Sequence, residues 1–550
     1  MGKVDKQAEA QVSARKKKNN DAMHYGSKQS LTSIIVKIFL LGIIDSISVF
    51  VGMLLIAQGQ FWATVVLGAA TLVVNWIYLR KGGIAAKYLA PGVIFLLVFQ
   101  VYVVFFSGYI SFTNYSDSNN GSMADALDSI QQAAVVPVDG GPGYDLKVVK
   151  NEANGDLEFL ATNYDTNEVF LGGTDFKKEP FHQITEADGL KVGDDGFAAS
   201  VDGFKTLTLD EISARGEEIT GMRVPISADP AAPFLITTDG MSAEQNAIDA
   251  VYDAKTETIT RVSDGVKFKA NQSTGFFEST TTDEKYETGW RVNVGLQNYT
   301  TIFSDATLRG PLLGILLWTI VFAASSVIGT FIVGLALAFL FNSEKLRGKK
   351  IYRALIILPY AFPAFLSAYV WKGMFQTENG FINQQLAGFG IDPIAWLQQE
   401  GTARWAVLLV NLWLGFPYMF LISTGALQAI PGELTESAII DGASPWQQLR
   451  LIKLPLLLIS LSPLLISSFA FNFNNFTLIY LITGGGPSGD ASLPVDVGGT
   501  DLLITFVYKL AFKGGQDYGL ASAFSVLIFV LIGTISYLGF RRTRSLEEMA

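Results

Sequence analysis

Eight stretches of this chain are each apolar for about the 20 residues that a helix needs to cross a bilayer. They lie at 38–57, 61–79, 89–112, 311–341, 351–375, 405–427, 455–482 and 520–540. In hydrocarbon every backbone N–H and C=O must be bonded within the chain, so these stretches are predicted to be helices. The fold class follows: an α-helical polytopic membrane protein with eight transmembrane helices. Gln58, Gly59 and Gln60 turn the first two into a hairpin. With 49% hydrophobic and 16% charged residues, the chain is too apolar for an ordinary soluble protein.

The apolar pattern is suspended between 113 and 305. There Gly, Thr and acidic residues rise, and short alternating runs flank tight-turn pairs. The run 146–150, Asn154-Gly155 and the run 157–160 read as one hairpin; 257–262, Asp264-Gly265 and 266–269 read as another. A compact β-rich domain is expected here, large enough to hold its own core, with a short helix near 125–132. The triplets beginning at Asn120, Asn271 and Asn298 read as chance matches to a glycosylation signal.

Basic residues orient the helices. They cluster around Arg15 to Lys18, at Arg80, Lys81 and Lys87, at Lys345 to Lys350, at Arg450 and Lys453, and at Arg541 to Arg544. These are alternate connections, so all fall on one side. Both termini and the loop 429–455 are therefore expected in the cytoplasm, and the β-rich insert outside it. The expected order is a basic tail over 1–30 before an uncleaved anchor, three helices over 31–112, the extracytoplasmic domain over 113–305, a core over 306–540 and a short tail over 541–550.

Composition also removes chemistries. No Cys means no disulfide and no thiolate site; two His, His24 and His182, are too few for a His-built metal or acid–base centre. A net charge of −10 argues against a nucleic-acid partner. No G-x-x-x-x-G-K-[S/T] pattern occurs: Gly348-Lys349-Lys350 lacks the loop, and Gly484-Gly485-Gly486-Pro487 lacks the Lys.

Polar residues inside the apolar runs are the candidate site. Ser468, Phe471 or Asn472, and Asn475 follow helical spacing, and the preceding run carries Asn411, Gly415 and Tyr418 in the same way. Such groups face a protein interior or a wet cavity. Amides offer donors and an acceptor to paired hydroxyls, and Phe and Tyr rings fit the C–H face of a sugar. The bland alternative is that the Asn side chains only join neighbouring helices. Asp45, with Lys37 nearby, is read as pairing with another helix; a proton relay would need further partners.

The stretch 436–455 is a polar, helix-forming island between two apolar runs. Pro431 is placed to open a helix, Gly442 to turn the chain, Ser444 and Gln447 to form a capping box around Pro445, and Pro455 to mark entry to the next run. Trp446 and Leu449 offer apolar contact. The island reads as a lever on which a soluble partner pushes.

Glu436, Ser437 and Ala438, then Gly442, then Ile452, Lys453, Leu454 and Pro455, resemble the EAA loop of bacterial ABC importer permeases; Ser437 replaces the second residue of Glu-Ala-Ala. The wider run 411–518 resembles the maltose type of that family, and 295–305 resembles the lead-in that sugar permeases place before their core. The resemblance implies several things. Glu436, Ser437, Ala438, Asp441, Gly442, Ile452, Leu454 and Pro455 would couple to an ATPase. Tyr360, Asn411, Leu414, Gly415, Tyr418, Ser468, Phe471, Asn472 and Asn475 match positions that line a sugar pocket, with Ala364 standing where the family has a serine. The partners implied are a second related permease, a homodimeric ATPase that holds the ATP and Mg, and an extracytoplasmic sugar-binding protein. This chain would bind no cofactor and would not be an enzyme. The loop 484–519 is read as outside and as a contact for the delivering protein. A ligand sensor would need a cytoplasmic output domain, and an ion-coupled carrier would need more intramembrane carboxylates than Asp45.

Overall fold

A computed structural model describes residues 31–80, 82–174, 181–227, 232–342, 348–487, 496–514 and 516–547. The basic tail with Arg15 to Lys18, the basic residues Lys81, Lys345 and Arg347, and residues 488–495 of the 484–519 loop lie outside that set. The chain divides into two units, meeting in sequence at Phe105 and Phe106.

The first unit holds α1 (Leu31–Ala57), α2 (Phe61–Leu79) and most of α3 (Ile84–Ile110), which widens into a π-turn over Leu97–Val101. Three polar groups of α1 are spent on α2. Asn75 Nδ2 donates to Asp45 Oδ1 at 2.6 Å, Thr71 Oγ1 donates to Ser48 Oγ at 2.9 Å, and Lys37 Nζ donates to the Tyr78 carbonyl at 3.4 Å. Interhelical bonds of this kind glue helices where no hydrophobic driving force separates protein from lipid.

The second unit begins with α4 (Met123–Ala133), started by a capping box of Ser122 and Asp125. Among the described residues an antiparallel sheet of nine strands follows, centred on Gly143–Asn151 paired with Leu157–Asn163 and joined to Ser242–Ile248. A four-strand meander, Ala250–Asp253 to Phe276–Ser279, forms a separate sheet that packs with α4 around Phe268, Phe277 and Trp290. Both hairpins expected from Asn154-Gly155 and Asp264-Gly265 are present. The chain enters and leaves this β-rich insert through a bonded neck. Asn298 Nδ2, on α5 (Gln297–Ser304), donates to the carbonyls of Ser111 and Thr113, each at 2.9 Å.

The helical core follows: α6 (Ala306–Phe341), α7 (Lys349–Ala361), α8 (Ala364–Met374), α9 (Glu400–Ala429), α10 (Gly432–Ile440), α11 (Pro445–Phe473), α12 (Phe476–Ile482), α13 (Leu503–Phe512) and α14 (Tyr518–Glu547). Among the described residues seven helices are long and apolar enough to cross a membrane unbroken. The expected eighth, 351–375, is α7 and α8 bent by 88°. Pro363 forces the break, because the residue before a proline is pushed out of the helical region, and Phe362 sits at ψ 139°.

Core helices α6 and α9 are parallel and nearly in backbone contact. A Cβ on Gly334 would sit 2.6 Å from Met419 Cβ, and one on Gly415 would sit 2.8 Å from Thr330 Cγ2. Only a residue without a side chain permits that approach.

Candidate functional site

Two helices carry the intramembrane amides, and one hairpin of chain joins them. Asn411 lies on α9 and is 7% exposed; Asn472 lies near the end of α11 and is 9% exposed. Asn411 Nδ2 donates to Asn472 Oδ1 at 2.7 Å, and Asn475 Nδ2 donates to Asn411 Oδ1 at 3.1 Å. Asn472 Nδ2 donates to the Ser468 carbonyl at 2.8 Å. A buried amide left unpaired costs about 1–3 kcal/mol, so this ring of bonds holds the two helices together.

Asn475 reaches Asn411 because the helix stops. α11 ends at Phe473, Asn474 adopts φ −105° and ψ 28°, and Asn475 caps α12. The sequence pattern places Asn475 on the same continuous helical face as Ser468; in the structure the break delivers it instead.

The other expected pocket residues divide. Tyr360, at the end of α7, stacks with Tyr418 of α9, ring centroids 6.4 Å apart. Phe471 is 73% exposed, turned away from its neighbour Asn472. Leu414 packs against the apolar cluster around Trp318 and Phe322, and Gly415 meets Thr330. The amides therefore form one group, the two tyrosines a second, and Phe471 stands apart. Sequence reasoning missed Ser326, whose hydroxyl is buried without a hydrogen-bond partner one turn from Thr330 on α6. The signal was there in small polar residues four apart, Ser326 and Thr330.

At the far ends of the same two helices lies the polar island. α9 ends at Ala429, α10 follows, and Gly442 turns the chain at φ +81°. Ser444 N donates to Gln447 Oε1 at 2.8 Å, and Gln447 N donates to Ser444 Oγ at 3.3 Å, completing the expected capping box. Gln448 Nε2 closes the elbow on the Ala443 carbonyl at 2.8 Å. Ala438 is buried, while Glu436, Ser437, Asp441 and Gly442 are exposed. Ile440 is 86% and Trp446 66% exposed, an apolar surface beside a carboxylate. Leu449 is half-buried, as are Ile452 and Leu454.

Pro455 does not interrupt the helix. The backbone runs without a break from Pro445 to Phe473, through a π-turn over Gln448–Lys453. A widened turn just before a proline relieves the clash of its ring with the carbonyl four residues back. Elbow and amides are thus the two ends of one rod, Trp446 to Asn472, about 40 Å at 1.5 Å per residue.

Within the loop expected outside, the stretch from 496 to 512 carries a helix and packs against the core helices. On α13, Leu503, Phe506 and Leu510 are buried. Lys509 Nζ lies 2.7 Å from Asp501 Oδ2, with both side chains nearly inaccessible. Thr505 Oγ1 and Gly498 N donate to the same carboxylate at 2.8 and 2.7 Å. Arg404 Nε donates to the Gly499 carbonyl at 2.8 Å, and Trp318 Nε1 to that of Thr500 at 3.3 Å, so the segment is tied to α9 and α6. Among the described residues no three His, Asp or Glu side chains converge as metal ligands.

The chain is similar in sequence to known proteins. The family described as the N-terminal of the TM subunit in PBP-dependent ABC transporters matches residues 94–175, and the binding-protein-dependent transport system inner membrane component matches residues 311–543. The maltose/maltodextrin transport system permease protein MalF of Salmonella typhi is 34% identical over 516 residues, covering 92% of this chain and 96% of that protein. MalF of Escherichia coli strain K12 is 35% identical over 529 residues, with 92% and 96% covered. A chain of a crystallised bacterial alginate ABC transporter is 22% identical over 46% of this chain and 83% of that one, at a TM-score of 0.40.

Proposed function

The chain belongs to the MalF family of inner membrane permeases of binding-protein-dependent transport systems, and from that membership we propose that it imports maltose and maltodextrins as one subunit of an ATP-driven transporter. It is a transport subunit and no enzyme; ATP and Mg belong to partner ATPases, and it carries no cofactor of its own.

The observation that carries the mechanism is the single rod. Helices α9 and α11 meet at Asn411 and Asn472 at one end and are joined by the elbow at the other. Closure of an ATPase pair against Glu436 and the exposed Ile440 and Trp446 would move the elbow. A stiff helix passes that movement to the amides. Their mutual bonds then open, and their donors and acceptors become available to sugar hydroxyls. Tyr360, Tyr418 and Phe471 supply ring faces, and Ser468 a hydroxyl. All of these groups are uncharged, which suits a neutral solute.

In this reading the basic connections face the cytoplasm, with both termini, and the β-rich domain stands in the periplasm. The chain is a multi-pass protein of the inner membrane and sits among its lipids. The partners are a MalG-like second permease, covering the exposed sides of Tyr360 and Phe471, a homodimeric MalK-like ATPase at the elbow, and a MalE-like binding protein that delivers the sugar. Asp45, bonded to Asn75, serves helix association rather than ion coupling.

The test is uptake of labelled maltose into proteoliposomes that hold the assembled complex, with and without the ATPase and the binding protein. Uptake is expected only with both and with ATP inside. Uptake that needs neither and follows a proton gradient overturns the proposal.

A further inference from the structure

We propose that a strip of aromatic side chains, leading from the amide cluster to the neck of the β-rich domain, is a second binding surface for the sugar. It would take a linear neutral oligosaccharide, ring against ring. The inference deepens the sugar-import reading and rests on it.

The strip starts at Phe476, the residue after Asn475. Its centroid lies 4.9 Å from that of Tyr508, which lies 5.1 Å from Phe512; Phe512 lies 6.0 Å from Tyr518, and Tyr518 lies 5.0 Å from Tyr115. Tyr480 flanks the beginning, 5.0 Å from Phe476 and 5.2 Å from Tyr508. Four separate segments supply these rings: α12, α13, the start of α14 and the chain just past α3. Cations mark the edges. Lys513 Nζ stands 5.6 Å over the Tyr480 ring, and Arg291 Cζ stands 5.6 Å over the Tyr115 ring.

Packing alone does not account for the strip. The packing rings of this region are buried, Phe506 of α13 at 1% exposed and Phe524 of α14 at 2%. Phe512 is 57% exposed, and the other rings of the strip are half-buried. An aromatic belt at a membrane interface rings a protein at one level with separate anchors. Here the rings touch consecutively and begin beside the proposed sugar site. A pyranose has an apolar C–H face and a rim of hydroxyls. Exposed aromatic faces edged by tyrosine hydroxyls, an ammonium and a guanidinium match both parts. A track of several rings recognises a chain of several sugars, whereas a disaccharide at the amides spans little of it.

The test uses the assembled importer and compares uptake of maltose with that of maltoheptaose. Tyr508→Ala and Phe512→Ala are each expected to slow maltoheptaose by roughly three- to tenfold, the size of one lost ring contact, and to leave maltose within about twofold. Tyr508→Phe, which keeps the ring and loses only the hydroxyl, is expected to slow maltoheptaose less than Tyr508→Ala does and to leave maltose unchanged. Equal loss of both sugars, or no loss of either, overturns the track while leaving sugar import intact; a wild-type importer that moves neither sugar overturns both. The chain has no Cys, so Phe512→Cys carries its single thiol. Maltoheptaose delivered by the binding protein is expected to slow maleimide labelling there. Labelling that sugar does not alter, or a thiol that never reacts because lipid or a partner covers it, contradicts the proposal.

Discussion

Asn411 and Asn472 bond to each other side chain to side chain, at 2.7 Å, across the two helices that the elbow joins. Each amide therefore spends part of its hydrogen-bonding capacity on the other, and Asn475 takes the Asn411 oxygen as well. In this state the amides hold a seam closed. A sugar that uses them must take the place of those bonds, which ties substrate binding to helix separation.

That seam is expected to open with the motor. Cysteines at Asn411 and Asn472, the only two thiols of such a variant, should be bridged by a short bis-maleimide in the nucleotide-free complex. Bridging should fall severalfold when the ATPases are held closed on ATP. Equal bridging in both states would show that the elbow does not move the amides.

The Asp501–Lys509 pair fixes the segment between α12 and α13. Because both side chains are almost wholly inaccessible, removing one leaves an uncompensated buried charge. Lys509→Met alone is expected to destabilise by about 3–5 kcal/mol, and Asp501→Asn with Lys509→Met together to recover most of that. Thermal unfolding of the purified protein in detergent checks it; simple addition of the two losses would mean the charges are not paired.

At the elbow, Gly442 holds φ +81°, where a side chain is strained by about 1–2 kcal/mol. Ser444→Ala removes a helix cap, at about 1 kcal/mol. Gly442→Val and Glu436→Lys are expected to cut recovery of the ATPase in affinity purification several-fold, while the permease still inserts. Undiminished recovery with both variants would remove the elbow as the docking point.

The β-rich domain should be acid-sensitive in a defined window. The Lys205 ammonium bonded to Glu211 holds that carboxyl at about 2. Backbone N–H groups hold Asp125, Asp239 and Asp253 below the ordinary range, Arg261 does so for Asp264, and the Thr274 hydroxyl and Asn271 amide do so for Glu278. Folded values below unfolded ones mean stability that is complete above about pH 4–5 and lost as pH falls through the folded values. Pepsin cleavage within 143–279, normalised to an unstructured peptide, should rise steeply from about pH 4 to 2. A flat normalised rate would contradict this.

Much of this was legible in the sequence because the signals are local. Asn-Gly and Asp-Gly turns and the box of Ser444 and Gln447 act over a few residues, and each appears where expected, as do most of the apolar runs. The failures involve distance or cancellation. Helix α13 has ten residues, shorter than a span, and its Lys509 reads as a surface charge until Asp501 is found eight residues back. Pro363 bends its run by 88°, while Pro455 leaves its helix continuous, because a π-turn precedes it. Proline alone does not say which. The partition of the pocket residues was hidden for a similar reason: helical spacing puts Asn475 on the face of Ser468, but the chain breaks at Asn474.

The most direct measurement is ATP-driven uptake of labelled maltose by the assembled importer carrying Asn472→Ala, with ATP hydrolysis followed in the same vesicles. Loss of two amide hydrogen bonds at about 1–1.5 kcal/mol each predicts uptake lowered by roughly thirty- to 150-fold. Hydrolysis without sugar should persist, since the elbow is untouched. Normal maltose uptake in that variant would contradict the account.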